Sequence, residues 1–164
     1  MKNLKLFFAI MLISVGLTSV LTSCSDKEKD EPNVPASSVA YKVAGTYTGD
    51  MDCTVMNTDF EFEDLEVTVV STDESTVEIN IPSCGPAEMH MQMPALKIPG
   101  VKVSVDNGVY TLATTEFSKK TEDGKLYTGK IHGSYEKNEL TVSYELNYGT
   151  MPLPLMFSYT GVKK

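Results

Sequence analysis

The segment MHMQM, residues 89–93, contains the side chains of the chain best suited to soft-metal chemistry. Thioether sulfurs bind Cu(I), and an imidazole can bind copper as well. Because successive side chains of a strand point to opposite faces, Met89, Met91 and Met93 would share one face. His90 would lie on the other face and could not complete their site. Methionines more often fill or line an irregular interior, so we predict an interior-lining role and no bound metal or other cofactor.

Cys53 and Cys84 are the other candidates for chemistry. A thiol nucleophile would need a base such as His90 or His132. The spacing matches no hydrolase signature, and we predict that the protein is not an enzyme. In an exported protein, an even pair of cysteines can form a disulfide. Strands two apart lie roughly 9 to 10 Å from one another and a disulfide needs Cα atoms within about 7 Å. Cys53 and Cys84 are therefore a possible disulfide if the loop after Ser83 folds over, and free thiols remain the alternative.

Carboxylates crowd the segment from Asp50 to Glu66, and hard oxygen ligands of this kind bind Ca²⁺. Their spacing is not that of an EF-hand loop, and alternating carboxylates along a strand are typical of a solvated face. We therefore expect them on the outer surface. The residues are Asp50, Asp52, Asp59, Glu61, Glu63, Asp64 and Glu66.

The N-terminus has the organisation of a secretory signal. Lys2 and Lys5 precede an uncharged apolar run, which at roughly 15 residues is shorter than the roughly 20 of a membrane-spanning helix. The sequence LTSC, residues 21–24, resembles the lipobox of bacterial lipoproteins. That resemblance implies that residues 1–23 are a signal peptide and that Cys24 is acylated, with fatty acids such as palmitate, and held in a lipid bilayer. The alternative is an ordinary cleavage site beside an incidental cysteine.

The residues after Cys24 bear on location. In lipoproteins of this type an aspartate directly after the cysteine favours the inner membrane, and Ser25 is not one, so the resemblance implies the cell outer membrane. The acidic run 26–31 resembles the export tag of lipoproteins from Bacteroidetes-type bacteria, which predicts exposure at the cell surface. A periplasmic position and a plain solvated tether are the alternatives. Residues 24–40 are thus interpreted as a lipidated cysteine followed by a flexible acidic tether.

Charge argues against one class of partner. The chain has 22 acidic and 14 basic residues, and every basic residue is a lysine. Removal of residues 1–23 takes away Lys2 and Lys5, leaving 12 lysines against 22 carboxylates and a formal charge of −10. Nucleic-acid binding requires a basic face that neutralises phosphates. We therefore predict no nucleic-acid partner.

Beyond the tether, apolar residues alternate with a period of two in one segment after another, which predicts strands with one buried face. A phase break between Phe62 and Leu65 predicts a bulge or bend at Glu63 and Asp64. Turn signals at STDES, DNG, EDG and EKN separate about eight or nine strands with mostly short connections. Residues 41–164 are therefore predicted to form one all-β domain, an antiparallel up-and-down β-barrel. A two-sheet sandwich is the alternative.

Four short segments carry a resemblance to a known family. They are VAGTYTG at residues 43–49, NGVYTL at 107–112, GSYEKNELTVSYEL at 133–146 and MFSYTG at 156–161. Together they resemble the calycin-like β-barrel lipoproteins of Bacteroidetes-type bacteria, a family of unknown function. The resemblance implies a calycin or lipocalin-like barrel. Lipocalins begin with Gly, any residue and Trp, where this chain has Gly45, Thr46 and Tyr47.

The combined prediction is an anchored barrel that binds a molecule and does not convert it. The leading hypothesis is a small apolar ligand held by an adaptable interior. The alternative is a solid-cored surface accessory protein whose loops contact other proteins. Apolar segments at residues 93–100 and 149–156 would form rims at one mouth of the barrel. The side chains expected to line a ligand are Tyr47, Met51, Met89, Met91, Met93 and Tyr135.

Overall fold

A computed structural model describes residues 34–85, 92–120, 124–149 and 153–164. Within these ranges the chain forms one short helix and eight strands. The helix α1 is Val39–Val43. The strands are β1 Gly45–Val55, β2 Thr58–Ser71, β3 Thr76–Ile81, β4 Leu96–Asp106, β5 Val109–Lys120, β6 Leu126–Glu136, β7 Glu139–Tyr148 and β8 Leu155–Lys163.

The eight strands close into an antiparallel barrel in sequence order. Closure is made by β1 and β8, which pair continuously from Tyr47 opposite Lys163 to Thr54 opposite Met156. A closed barrel has no unpaired sheet edge, so every strand finds two neighbours. The all-β, up-and-down barrel predicted from the sequence is confirmed, and the sandwich is excluded.

The period of two in the sequence is the period of burial in the barrel. In β7, Leu140, Val142, Tyr144 and Leu146 are buried while the residues between them keep partial exposure. The same alternation runs through the other strands, with a change of phase within β4 and within β5, and produces one continuous apolar core inside the barrel. Barrels of eight strands are narrow enough for their own side chains to fill much of the interior.

The predicted phase break in β2 is a β-bulge. Gly49 pairs with Leu65 and Met51 pairs with Phe62, so two residues of β2 stand opposite Asp50. Asp64 adopts a positive φ of 56°, and its backbone N–H donates a hydrogen bond to the Asp50 carboxylate at 3.2 Å. The bulge keeps the apolar residues on both sides of the break directed into the core.

Three hairpins turn through two residues that both have positive φ. These turns are Met56–Asn57, Asn107–Gly108 and Lys137–Asn138. Such turns match the right-handed twist of the flanking strands and therefore fix the register of each hairpin. Asn107–Gly108 lies at the predicted DNG signal and Lys137–Asn138 at the predicted EKN signal. The sequence around Met56–Asn57 contains no glycine and does not predict a turn.

Helix α1 extends the domain toward the N-terminus. Ser38 caps it by accepting a hydrogen bond from the Tyr41 backbone N–H, and Ala40 and Val43 are buried against the barrel. The tether was predicted to extend to residue 40, whereas α1 begins at Val39 and Ala40 is buried in the core. The predicted signal peptide, the predicted lipidation site Cys24 and the residues up to 33 lie outside the described residues. The described part of the chain contains no helix that is both long and apolar enough to cross a membrane.

The two ends of the barrel are built differently. The helix end carries α1 together with the loop 72–75 and the turns Asn107–Gly108 and Lys137–Asn138. The loop end carries the turn Met56–Asn57 and the longer connections 82–95, 121–125 and 149–154. Antiparallel order puts both apolar segments predicted to form rims next to the loop end, since 82–95 joins β3 to β4 and 149–154 joins β7 to β8.

Candidate functional site

The candidate site lies inside the barrel toward the loop end, where three sulfur-bearing side chains meet a tyrosine hydroxyl. We call Met51, Cys53, Cys84 and Tyr144 the sulfur cluster. Met51 and Cys53 point inward from β1, Tyr144 points inward from β7, and Cys84 enters from the connection between β3 and β4. Met51 and Cys53 have no solvent exposure, and Cys84 keeps 7%.

Short distances join three members of the sulfur cluster, Met51, Cys84 and Tyr144. The Cys84 Sγ lies 3.9 Å from the Met51 Sδ, and the Tyr144 Oη lies 3.4 Å from the same Sδ. The Tyr144 ring is held by parallel stacking on Phe157, with ring centroids 4.5 Å apart and planes inclined by 6°. The tyrosine hydroxyl is therefore fixed over the methionine sulfur.

Backbone pairing positions Cys84. Cys84 and Met93 form an isolated antiparallel bridge, in which the Met93 backbone N–H donates to the Cys84 carbonyl at 2.6 Å. The bridge pulls the two ends of the connection 82–95 together beside the barrel interior, and the Met93 side chain is buried there. The two residues are nine positions apart, and no pattern in the sequence around residue 84 predicts their pairing.

Burial keeps the sulfur cluster uncharged at neutral pH. It raises the pKa of the Cys53 thiol to about 12, and the neighbouring Cys84 adds to the rise. Burial also raises the pKa of Cys84, although a hydrogen bond with Tyr144 opposes this. The pKa of Tyr144 is raised by burial, and Cys84 and Cys53 add to it. The two thiols and the phenol are therefore protonated, which makes the thiols poor nucleophiles.

Cys53 and Cys84 are free thiols in the structure, and both are buried. The possible disulfide is not formed in the structure, and its presence under oxidising conditions stays a prediction. A disulfide would require the chain after Ser83 to fold over the barrel interior. It does so, because the Cys84 sulfur contacts the sulfur of Met51, which lies two residues before Cys53 on β1.

The structure separates the side chains predicted to line a ligand. Tyr47 and Tyr135 pack edge to face at the helix end, with ring centroids 5.9 Å apart. Tyr47 donates a hydrogen bond to the Val43 carbonyl of α1. Burial raises the pKa of Tyr47, and Tyr135 and Tyr159 add to the rise. Met51 and Met93 lie in the other half of the barrel, so the tyrosines and methionines do not form one pocket. Met89, His90 and Met91 lie outside the described residues.

Four aromatic side chains near the loop end were not predicted as site residues. Each points to the inner face, packs against the core and keeps partial solvent exposure. Phe60 and Phe62 pair with Cys53 and Met51, and Phe117 and Tyr148 reach the same half of the barrel from β5 and β7. The alternating pattern places them on the inner face, but only the tertiary structure shows their exposure. We call Phe60, Phe62, Phe117 and Tyr148 the aromatic lining.

The outer face of the barrel carries weaker candidates for a binding site than the interior does. All seven carboxylates between Asp50 and Glu66 are exposed, as predicted for a solvated face. Among the described residues, no group of three or more His, Cys, Asp or Glu side chains could hold a metal ion. An open groove of about 470 Å³ crosses β5, β6 and β7 beside the ion pair of Lys130 with Glu145, whose charged atoms are 3.0 Å apart. Another, of about 460 Å³, lies between α1 and the loop 72–75.

Comparison with known proteins identifies the fold family. The family model of the calycin-like β-barrel domain matches residues 43–162. A crystal structure of a "putative outer membrane protein" from Bacteroides fragilis matches with a TM-score of 0.66 and 21% identity. The match covers 76% of this chain and 52% of that one, so the chain spans about half the length of its structural relative. No curated protein matches the chain. The extent of the family match shows that the chain belongs to the calycin-like β-barrel domain family.

Proposed function

We propose that the protein is a lipid-anchored barrel of the cell outer membrane that binds a small apolar ligand and catalyses no reaction. The observation that carries this proposal is the aromatic lining, in which Phe60, Phe62, Phe117 and Tyr148 face the interior and stay partly exposed. Apolar side chains that line a concavity and reach solvent are the usual walls of a small-molecule site. The Bacteroides fragilis relative supports the location, because it is described as an outer membrane protein.

The end through which a ligand would enter follows from how each end of the barrel is covered. At the helix end, Ala40 and Val43 of α1 are buried against the barrel, and Tyr47 fills the space below them. A ligand would therefore enter from the loop end and contact the aromatic lining before it reached Met51.

A fluorescence titration with N-phenyl-1-naphthylamine, a neutral apolar probe, tests ligand binding. We expect saturable enhancement with the full chain and a several-fold weaker affinity for Phe117→Ala, because Phe117 is part of the aromatic lining. Tyr41→Ala is the matched control, since Tyr41 is an exposed aromatic residue on α1 at the opposite end. Absence of saturable binding, or equal loss in both variants, would refute the proposal.

Anchoring is tested separately. Mass spectrometry of the N-terminal peptide should find acyl chains on Cys24, and Cys24→Ala should release the protein from the membrane fraction. Protease treatment of intact cells should then digest the wild-type barrel if the protein is exposed on the surface. A membrane-bound Cys24→Ala variant would contradict the anchor.

A second candidate function, contact with another surface protein, is favoured by one observation. Four large apolar side chains near the loop end are strongly exposed: Met56, Leu126, Leu153 and Met156. Exposed apolar side chains can form a contact surface. Four more are exposed near the helix end: Tyr41, Val70, Val105 and Val162. Photo-crosslinking from position 153 in intact cells should capture one defined partner if this candidate is correct, and should leave probe binding unchanged.

A further inference from the structure

We propose that Met51, Cys53 and Cys84 form a binding site for a soft monovalent metal ion, for which Cu(I) is the biological example. Met51 and Cys53 lie two residues apart on β1, Cys84 lies on the connection between β3 and β4, and all three are buried. The Cys84 sulfur reaches to 3.9 Å from the Met51 sulfur. Thiolate and thioether sulfurs are the ligands that favour Cu(I). The site lies behind the aromatic lining and shares Met51 with the deep end of the proposed ligand path, but Cu(I) binding can be measured without any apolar ligand.

The distance between two of the sulfurs suits joint coordination. Metal–sulfur bonds in proteins are about 2.3 Å long. With the Cys84 Sγ and Met51 Sδ 3.9 Å apart, a metal ion bonded to both would subtend an angle of about 116°. That angle is close to trigonal, and Cys53, two residues along β1 on the same inner face, is the third ligand. Coordination by the pair therefore requires little movement of either sulfur.

The chemistry of the surroundings selects the ion. The Tyr144 hydroxyl lies 3.4 Å from the Met51 sulfur, and the Tyr144 ring stacks on Phe157, which pairs with Cys53. Zinc favours four ligands drawn from cysteine, histidine and carboxylates, and no such cluster of three or more is present in the described part of the chain. A three-sulfur set in an apolar interior instead matches a soft ion of single charge.

Charge balance supports a monovalent ion. When Cu(I) binds, the S–H bond of one cysteine breaks, a copper–sulfur bond forms and the proton leaves to solvent. One thiolate, one thiol and one thioether around Cu(I) have no net charge. A buried site without compensating charges tolerates that neutral combination best, and no electron is transferred.

Access is through Cys84. It keeps 7% exposure, whereas Met51 and Cys53 are fully buried behind it. The bridge to Met93 fixes its backbone at the loop end. An ion would first bind the Cys84 sulfur and then gain Met51 and Cys53 as its second and third ligands.

Anaerobic titration of the full chain with Cu(I), in competition with bicinchoninate, tests the site. Every sample carries Cys24→Ser, so that only Cys53 and Cys84 supply thiols. We expect one bound Cu(I), loss of binding in Cys53→Ser and Cys84→Ser, and affinity weakened at least about tenfold in Met51→Leu. Met156→Leu is the matched control, because Met156 is exposed on β8, and it should bind like the parent.

Three results would overturn the site. One is the absence of Cu(I) binding to the reduced parent. Another is retained affinity in both cysteine variants, which would move the ion to other methionines. The third is a thiol titration of freshly isolated protein that finds a Cys53–Cys84 disulfide in place of free thiols. Met51→Leu nearly conserves volume, so it tests the site even if a cysteine variant fails to fold, and X-ray absorption should show sulfur neighbours at about 2.3 Å.

Discussion

The helix end and the loop end of this barrel use the same alternating strands for different purposes. At the helix end, α1 covers the interior and a tyrosine hydroxyl ties it to β1. At the loop end, interior-facing aromatic side chains keep solvent exposure, and the sulfur cluster lies behind them. Strand patterning therefore builds the wall of the barrel, and the segments joining the strands decide which end gives access to its interior.

The largest expected contrast between the ends is in packing. Tyr47→Ala should lower the free energy of unfolding by about 3–5 kcal/mol, because it removes a fully buried ring beneath α1. Tyr148→Ala at the loop end should cost about 1–2 kcal/mol, since that ring is only partly buried. Urea unfolding at pH 7 measures both. Tyr47→Phe keeps the ring, loses the hydrogen bond to the Val43 carbonyl and should cost about 1 kcal/mol. Equal losses in the two alanine variants would contradict the contrast between the ends.

Alkaline pH should lower the free energy of unfolding through Tyr144, which is buried in the loop-end half of the barrel. Its pKa is raised by burial, whereas a tyrosine in the unfolded chain has a pKa of about 10. Above that pH the unfolded chain releases a proton that the folded protein keeps, so stability falls as pH rises. Between pH 8 and pH 11, wild type should lose about 1.4 kcal/mol more than Tyr144→Phe. Urea unfolding at both pH values measures the difference, and parallel losses in the two proteins would show that Tyr144 titrates normally.

The smallest expected effect concerns the tight turns. Glycine substitutions there should raise stability equally at the two ends of the barrel. Met56 at the loop end has a φ of 49° and Lys137 at the helix end has a φ of 51°. Side chains other than glycine are strained in this region, so Met56→Gly and Lys137→Gly should each raise stability by about 0.5–1 kcal/mol. Denaturation midpoints measure the gain, and Met56→Ala should show none. A gain at only one turn would mean that the ends differ in the hairpins as well.

Much of the wall could be predicted from the sequence, because burial in a strand has a period of two. The bulge at Glu63 and Asp64 was predicted from a local change of phase, and it lies there. Helix α1 was missed, since five residues are too few for a helical period to show. The sulfur cluster was missed as a unit, because Met51 and Cys84 are distant in the chain and Cys84 lies outside the strands.

By itself the sequence determined the fold class, the inward face of the strands, the position of the β2 bulge and two of the tight turns. These features follow from interactions between residues close in the chain: alternation, phase and turn chemistry. Only the tertiary structure decided that Tyr47 and Met51 serve opposite halves of the barrel, that α1 covers one end and that three sulfurs meet near the other. Those outcomes depend on closure of β1 on β8 and on the bridge between Cys84 and Met93, which are contacts that no local pattern encodes.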